Sequence, residues 1–264
     1  MKFFVVSDIH GYFDEFKKAL DEAGYDENNT EHFIISCGDN WDRGSQPVEV
    51  MRFLNLHDRV ILVKGNHESL LEECCERGHA DGHDYHNGTF ETICEFGGAG
   101  KGTPFDECCV KTLARTGVFL GKMVNYFETK NYIFVHGWIP VKCNDDLPSY
   151  YTRKRDFEFN PDWRLANKEE WEQARWLNGI KMARQGFIEP NKTIICGHWH
   201  CSYGHYLKAL EKAIVEGAEI EVEEFGPTAI WEPFEDEGII AIDRCTAHTG
   251  KVNVLVLEDE FLDE

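Results

Sequence analysis

Five short apolar runs in this chain each end on residues able to bind a metal, and few folds accommodate that pattern. Phe3-Phe4-Val5-Val6-Ser7 leads into Asp8-Ile9-His10-Gly11, and Phe33-Ile34-Ile35-Ser36-Cys37 leads into Gly38-Asp39. Val60-Ile61-Leu62-Val63 reaches Gly65-Asn66-His67-Glu68 after one lysine. Tyr132-Ile133-Phe134-Val135 ends on His136-Gly137, and Thr193-Ile194-Ile195-Cys196 on Gly197-His198-Trp199-His200. Runs this short, rich in β-branched and aromatic residues and closed by glycine, read as strands covered on both faces. In open α/β sheets ligands collect beyond the carboxyl ends of the strands. The run ends therefore bring Asp8, His10, Asp39, Asn66, His136, His198 and His200 toward one place, with donors enough for two cations.

Helical periods follow the first three runs, over 13–23, from Pro47 through Val48, Met51 and Leu54, and over 67–76. This strand–motif–helix rhythm predicts parallel βαβ units. Further helices are expected over 108–120 and over 168–178, with Gly179 as a stop. Ile239-Ile240-Ala241-Ile242 and Val252-Asn253-Val254-Leu255-Val256-Leu257 read as two strands joined in a hairpin through Thr249-Gly250. The fold class is α/β, with two packed mixed sheets flanked by helices. The expected organisation is a single domain over 1–264 with a helical insertion at about 70–131, because a site drawing on Asp8 through His200 needs most of the chain.

Composition narrows the function. The formal charge is −21 over 264 residues, which repels nucleic-acid phosphates and anionic membranes, so neither is an expected partner. No apolar run approaches the roughly 20 residues of a membrane span. The first strand begins at the N-terminus without a signal-peptide pattern. The ten cysteines form no Cys-x-x-Cys pair, which fits free thiols in a reducing, cytoplasmic setting. The histidine-rich stretch around His79, His83 and His86 is expected to be a solvated loop.

The ordered set of motifs resembles the calcineurin-like metallophosphoesterases, nearest to the bacterial and phage branch of the phosphoprotein phosphatases. Gly38-Asp39-Asn40-Trp41-Asp42-Arg43-Gly44, Gly65-Asn66-His67-Glu68 and Gly197-His198-Trp199-His200 carry the resemblance, which extends from Met1 to about Asp259. It implies a metallophosphoesterase fold and a dinuclear centre. One ion would be held by Asp8, His10 and His200, the other by Asn66, His136 and His198, with Asp39 bridging. The implied ions are Mn first, with Fe, Zn, Co or Ni also compatible with such donors. A bridging hydroxide would be the nucleophile. His67, oriented by Asp42, would protonate the leaving group. Arg43 would grip the phosphate with Asn66 alongside, and Arg175 would be a second phosphate arginine, in competition with Arg153, Arg155, Arg164 and Arg184.

The sequence departs from the phosphatase branch in His136-Gly137-Trp138, where a second glycine is usual, and in carrying His200. The expected activity is a phosphomonoesterase of serine/threonine type acting on phosphoproteins or small phosphoesters. The alternatives are a symmetrical dinucleoside polyphosphate hydrolase, for which Trp41, Trp138 or Trp199 would offer stacking platforms, and a non-catalytic metal-binding scaffold. No feature signals an oligomeric state.

Overall fold

Alternation along the first strand sets the layering. In β1 (Lys2–Val6), Phe3 and Val5 point to one face and Phe4 and Val6 to the other, and all four are fully buried. A strand with both faces covered must lie between two layers. The computed structural model describes residues 1–143 and 157–262. Along the chain, β1 is followed by α1 (Phe13–Glu22), β2 (His32–Ser36), α2 (Pro47–Leu56), β3 (Val60–Leu62) and α3 (Asn66–Arg77). Next come α4 (Gly82–Asn87), α5 (Thr89–Gly97), α6 (Phe105–Leu120), β4 (Phe127–Glu128), β5 (Tyr132–Phe134) and β6 (Lys142–Cys143). The chain continues with β7 (Phe157–Glu158), α7 (Lys168–Ala174), α8 (Gly179–Arg184), β8 (Thr193–Cys196) and α9 (Cys201–Glu216). It closes with β9 (Phe234–Asp236), β10 (Ile239–Ala241), α10 (Thr246–Thr249) and β11 (Leu255–Glu258).

One sheet has the order β11-β1-β2-β3 and the other β4-β5-β8-β10-β9. Strands β1, β2 and β3 run parallel, as do β5, β8 and β10, and the edge strands β11, β4 and β9 are antiparallel. The inner faces meet in a layer of Phe3, Val5, Ile35, Cys37 and Val63 against Phe134, Ile195, Ile240 and Ile242. Burying each large side chain of that layer contributes about 1.5–3 kcal/mol. Phe4, Val6 and Ile34 face outward onto Phe16, Leu20, Leu54, Leu71 and Phe96 of the first helical layer. Ile133, Ile194 and Ile239 face outward onto Trp138, Trp171 and Ile180 of the second. Two mixed sheets with helices outside is the expected α/β class.

Three local expectations differ. The C-terminal strands form no hairpin: β10 pairs with β8 and β9, whereas β11 crosses to the other sheet and pairs with β1. The Thr249-Gly250 pair ends α10 instead, Gly250 adopting a left-handed φ of 61° as its cap. Gly179 opens α8 rather than stopping α7, because the Asn178 side chain accepts the Lys181 N–H and acts as an N-cap. The His79–His86 stretch contains α4, capped by Asp81, with Asp84 buried against Arg77. Among the described residues no helix is long and apolar enough to cross a membrane. The nine described cysteine side chains are free thiols.

Candidate metal centre

The parallel strands of both sheets release their motifs at the same edge of the sandwich, and the backbone there is strained. Asp8, His10, Asp39, Asp42, Arg43 and His198 all adopt positive φ, between 51° and 72°. A non-glycine residue in this region costs of order 1–3 kcal/mol and persists only where its surroundings over-determine it. Here the surroundings are a buried hydrogen-bond lattice. The Glu68 carboxylate accepts the N–H groups of Asp39, Asn40 and Gly65 at 3.0, 2.9 and 2.8 Å, and the Asn40 amide at 3.0 Å. It ties the loops after β2 and β3 together. Gly197 lets β8 close onto β1: a Cβ there would run into Ser7 Oγ and Asp8 Oδ2.

Asp39 stands at the centre. Its Oδ2 lies 3.9 Å from His10 Nε2 and 3.8 Å from His67 Nε2, and its Oδ1 lies 3.4 Å from His136 Nε2. It belongs to two groups of donor atoms, each within 4.8 Å of one another: His10, Asp39 and His67, and Asp39, His136 and His198. Asn66 Oδ1 is 2.7 Å from His136 Nε2. Asp8 Oδ1 is 3.9 Å from His10 Nε2, while its Oδ2 accepts the Ser7 hydroxyl and the His198 N–H. Each ring is aimed from behind. His10 Nδ1 donates to Trp41 O at 3.1 Å and His136 Nδ1 contacts Cys37 O at 2.8 Å, so their Nε2 atoms face the centre. Such outer-shell partners fix the tautomer of a metal-binding imidazole.

Electrostatics follow this geometry. Burial alone would raise the Asp39 carboxyl, but the His136 and His67 rings outweigh it and hold the group well below its usual range. Burial likewise opposes charge on His136, yet Asp39 pushes it up to about 9. His198 is driven down to about 3 by burial and by neighbouring His136. His10 is lowered by burial and by Arg43. Buried carboxylates and imidazoles around a shared aspartate suit borderline divalent cations, so the residues present fit the metals that the sequence implies.

The proton-transfer and phosphate candidates adjoin this centre. His67 Nδ1 donates to Asp42 Oδ2 at 2.7 Å. Burial opposes the His67 imidazolium, but Asp39 and Asp42 raise its pKa on balance. The Arg43 guanidinium spans His10 Nε2 at 2.8 Å and His67 Nε2 at 3.1 Å. Arg175 lies by the first turn of α3, donating to Ser69 Oγ at 3.3 Å and Asn125 Oδ1 at 2.6 Å, with its Nε unpartnered among the described residues. Arg164 is bound by Glu128 and Glu189, Arg184 by Glu211, and Arg153 and Arg155 lie outside the described residues.

His200 stands apart from both donor groups. Its Nε2 is 3.0 Å from Glu224 Oε1, and its ring stacks on Phe225 with centroids 4.7 Å apart. The spacing of Gly197-His198-Trp199-His200 says nothing about that choice, because Glu224 and Phe225 come from the far side of α9. Trp41 and Trp138 are core residues, so neither is a stacking platform, whereas Trp199 is half-buried beside His198 and Tyr203.

The sequence profile of the calcineurin-like phosphoesterases matches residues 1–202. The chain belongs to that family. A symmetrical bis(5'-nucleosyl)-tetraphosphatase from Buchnera aphidicola subsp. Acyrthosiphon pisum (strain Tuc7) is 36% identical over 69 residues, 26% of this chain and 24% of that protein. A serine/threonine-protein phosphatase 2 from Escherichia coli (strain K12) is 38% identical over 74 residues, 28% of this chain and 33% of that protein. The matched segments thus span about a quarter to a third of these curated relatives. A solved cold-active protein tyrosine phosphatase superimposes with a TM-score of 0.51 at 15% identity, covering 97% of this chain and 73% of that one. That likeness is one of fold.

Proposed function

We propose that this phosphoesterase hydrolyses phosphomonoesters with two divalent cations, Mn foremost, held by Asp8, His10, Asp39, Asn66, His136 and His198. The observation that carries the reading is Asp39, whose two carboxylate oxygens face two separate groups of imidazoles. Its anionic charge is what two neighbouring dications need between them. His200, engaged by Glu224 and Phe225, is left out of the set. Bound there, the cations supply Lewis acidity and make water acidic near neutral pH.

The chain's own residues do the rest. Arg43 presents a planar fork from a rigid turn and binds two phosphate oxygens at once. Asn66 adds its amide, and Arg175, beside the first turn of α3, is the second arginine. His67, held by Asp42 through Nδ1, gives a proton from Nε2 to the leaving oxygen once Arg43 has turned from that nitrogen to the phosphate. An alkoxide leaving group needs that proton far more than an aryl oxide does. The scaffold alternative is disfavoured because the donor residues, His67 and Arg43 are all present at one edge of the sheets.

Serine/threonine-type phosphomonoesters are the first substrate reading. Symmetrical dinucleoside polyphosphates are the second, supported by the tetraphosphatase relative and by a ring group of Phe225, Trp231 and His248 beside His200, as the first is supported by the phosphatase relative. A panel on Mn-loaded protein separates them: p-nitrophenyl phosphate, a phosphoserine peptide and diadenosine tetraphosphate. A larger kcat/KM for the phosphopeptide supports the first reading. A larger value for the tetraphosphate overturns it in favour of the second, and no hydrolysis of any of them overturns both.

A further inference from the structure

The helices between α3 and β4 carry no recognisable motif, yet one corner of them is built into the catalytic turn. Helices α4 and α5 meet at Gly88, the C-cap of one and the N-cap of the other, with φ at +84°. A Cβ on Gly88 would lie 2.6 Å from Arg43 N, so only glycine lets this corner press against the turn. The first residue of α5, Thr89, is fully buried and donates its hydroxyl to Asp42 Oδ2 at 2.7 Å. One turn later, Thr92 Oγ1 accepts the Asp42 N–H at 3.1 Å.

Asp42 and Arg43 need this bracing, as consecutive non-glycine residues at φ 72° and 67°. Asp42 Oδ1 has no partner among the described residues. The same oxygen, Oδ2, therefore carries both side-chain bonds, one from Thr89 and one from His67 Nδ1. The rotation of the Asp42 carboxylate, and with it the aim of the His67 ring, is set by Thr89 from one side and His67 from the other. Hydrogen bonds to an ionised oxygen are the stronger and more directional kind.

We propose that Thr89 is a positioning residue for the His67–Asp42 pair, through which the helical insertion controls proton delivery to the leaving group. The inference rests on the proposed role of His67, and its test separates the two. Thr89→Val removes the hydroxyl and keeps the shape, and Thr89→Ser restores it. In Mn-loaded protein, Thr89→Val is expected to lower kcat on an alkyl phosphomonoester by about 10-fold with KM unchanged, and on p-nitrophenyl phosphate by less than about 2-fold. Thr89→Ser should recover the alkyl rate to within about 2-fold.

The second readout needs neither metal nor turnover. In metal-free protein the buried His67 Nδ1–H should give an exchange-protected low-field proton resonance, identified by its absence in His67→Gln. Thr89→Val should shift or broaden it, and Thr89→Ser should leave it in place. An unchanged resonance together with an unchanged ratio of alkyl to aryl rates in Thr89→Val overturns the proposal. If the wild-type protein hydrolyses none of these esters, the functional reading fails while the resonance still decides the role of Thr89. Should Thr89→Val not fold, Thr89→Ala reads the same resonance without either γ substituent.

Discussion

Replacing Glu68 by Gln changes one atom and tests whether the strained strand ends are held as described. Each carboxylate oxygen accepts two protons: Oε1 those of Asn40 N and Nδ2, and Oε2 those of Asp39 N and Gly65 N. Glutamine keeps one accepting oxygen and turns an NH2 toward the other pair. Two fully buried N–H groups then face a donor. Stranding a buried donor costs about 1–3 kcal/mol, or about 2–6 kcal/mol for two. Removing a buried charge returns part of that, so the expected loss is about 2–4 kcal/mol. Equilibrium urea unfolding of the metal-free protein reads it as a lower midpoint at constant slope. A change below about 0.5 kcal/mol, the scale of an inconsequential surface substitution, would show that the Glu68 lattice does not hold these loops.

Three further outcomes follow from the same site. His67→Ala should keep its metal content but lose about 10²–10⁴-fold in rate on alkyl phosphates and less on aryl ones, with Asp42→Asn a milder copy. Loss of metal together with equal loss on both substrate types would make His67 a ligand rather than an acid. At pH 7 His136, with its pKa pushed up to about 9, holds a proton that an incoming cation must displace. Mn binding should release about one proton at pH 7, falling to about half a proton near pH 9, read by calorimetry in buffers of different ionisation enthalpy. Because the folded pKa stands above the ordinary value near 6.5, the His136 contribution to stability is complete below that pH and is lost as pH rises through about 9. The midpoint of metal-free protein should fall across this window, and a rising midpoint would contradict the pairing of His136 with Asp39.

The strand ends were legible because each is a short local pattern: an apolar run, a glycine and a polar residue, adjacent in sequence. The two-sheet architecture was legible through the strand–motif–helix rhythm and the family resemblance, whereas the facing of Phe3 and Val5 against Phe4 and Val6 was not, because the run is apolar throughout. What could not be read depends on distant partners. Nothing in Gly88-Thr89 announces that Asp42, 47 residues earlier, lies against it. His200 has the right spacing for a ligand whichever way its ring turns, and Glu224 decides the turn. The C-terminal runs read as a hairpin because Thr249-Gly250 is good turn chemistry, but β1 and β8 each offered an open edge in a different sheet. The positive φ values at six site residues could not be read either: Asp and His are enriched in that conformation but only a few per cent of non-glycine residues adopt it, and Arg43 is not of an enriched type.

The central claim is that Asp39 is shared between two cations. Titrating chelator-stripped protein with Mn by calorimetry, for wild type and Asp39→Asn side by side, addresses it directly. The account predicts about two equivalents bound by wild type, as expected for a dinuclear site, and weakened uptake of both in the variant. Wild-type protein that binds a single equivalent, or a variant that retains both with unchanged affinity, would contradict it.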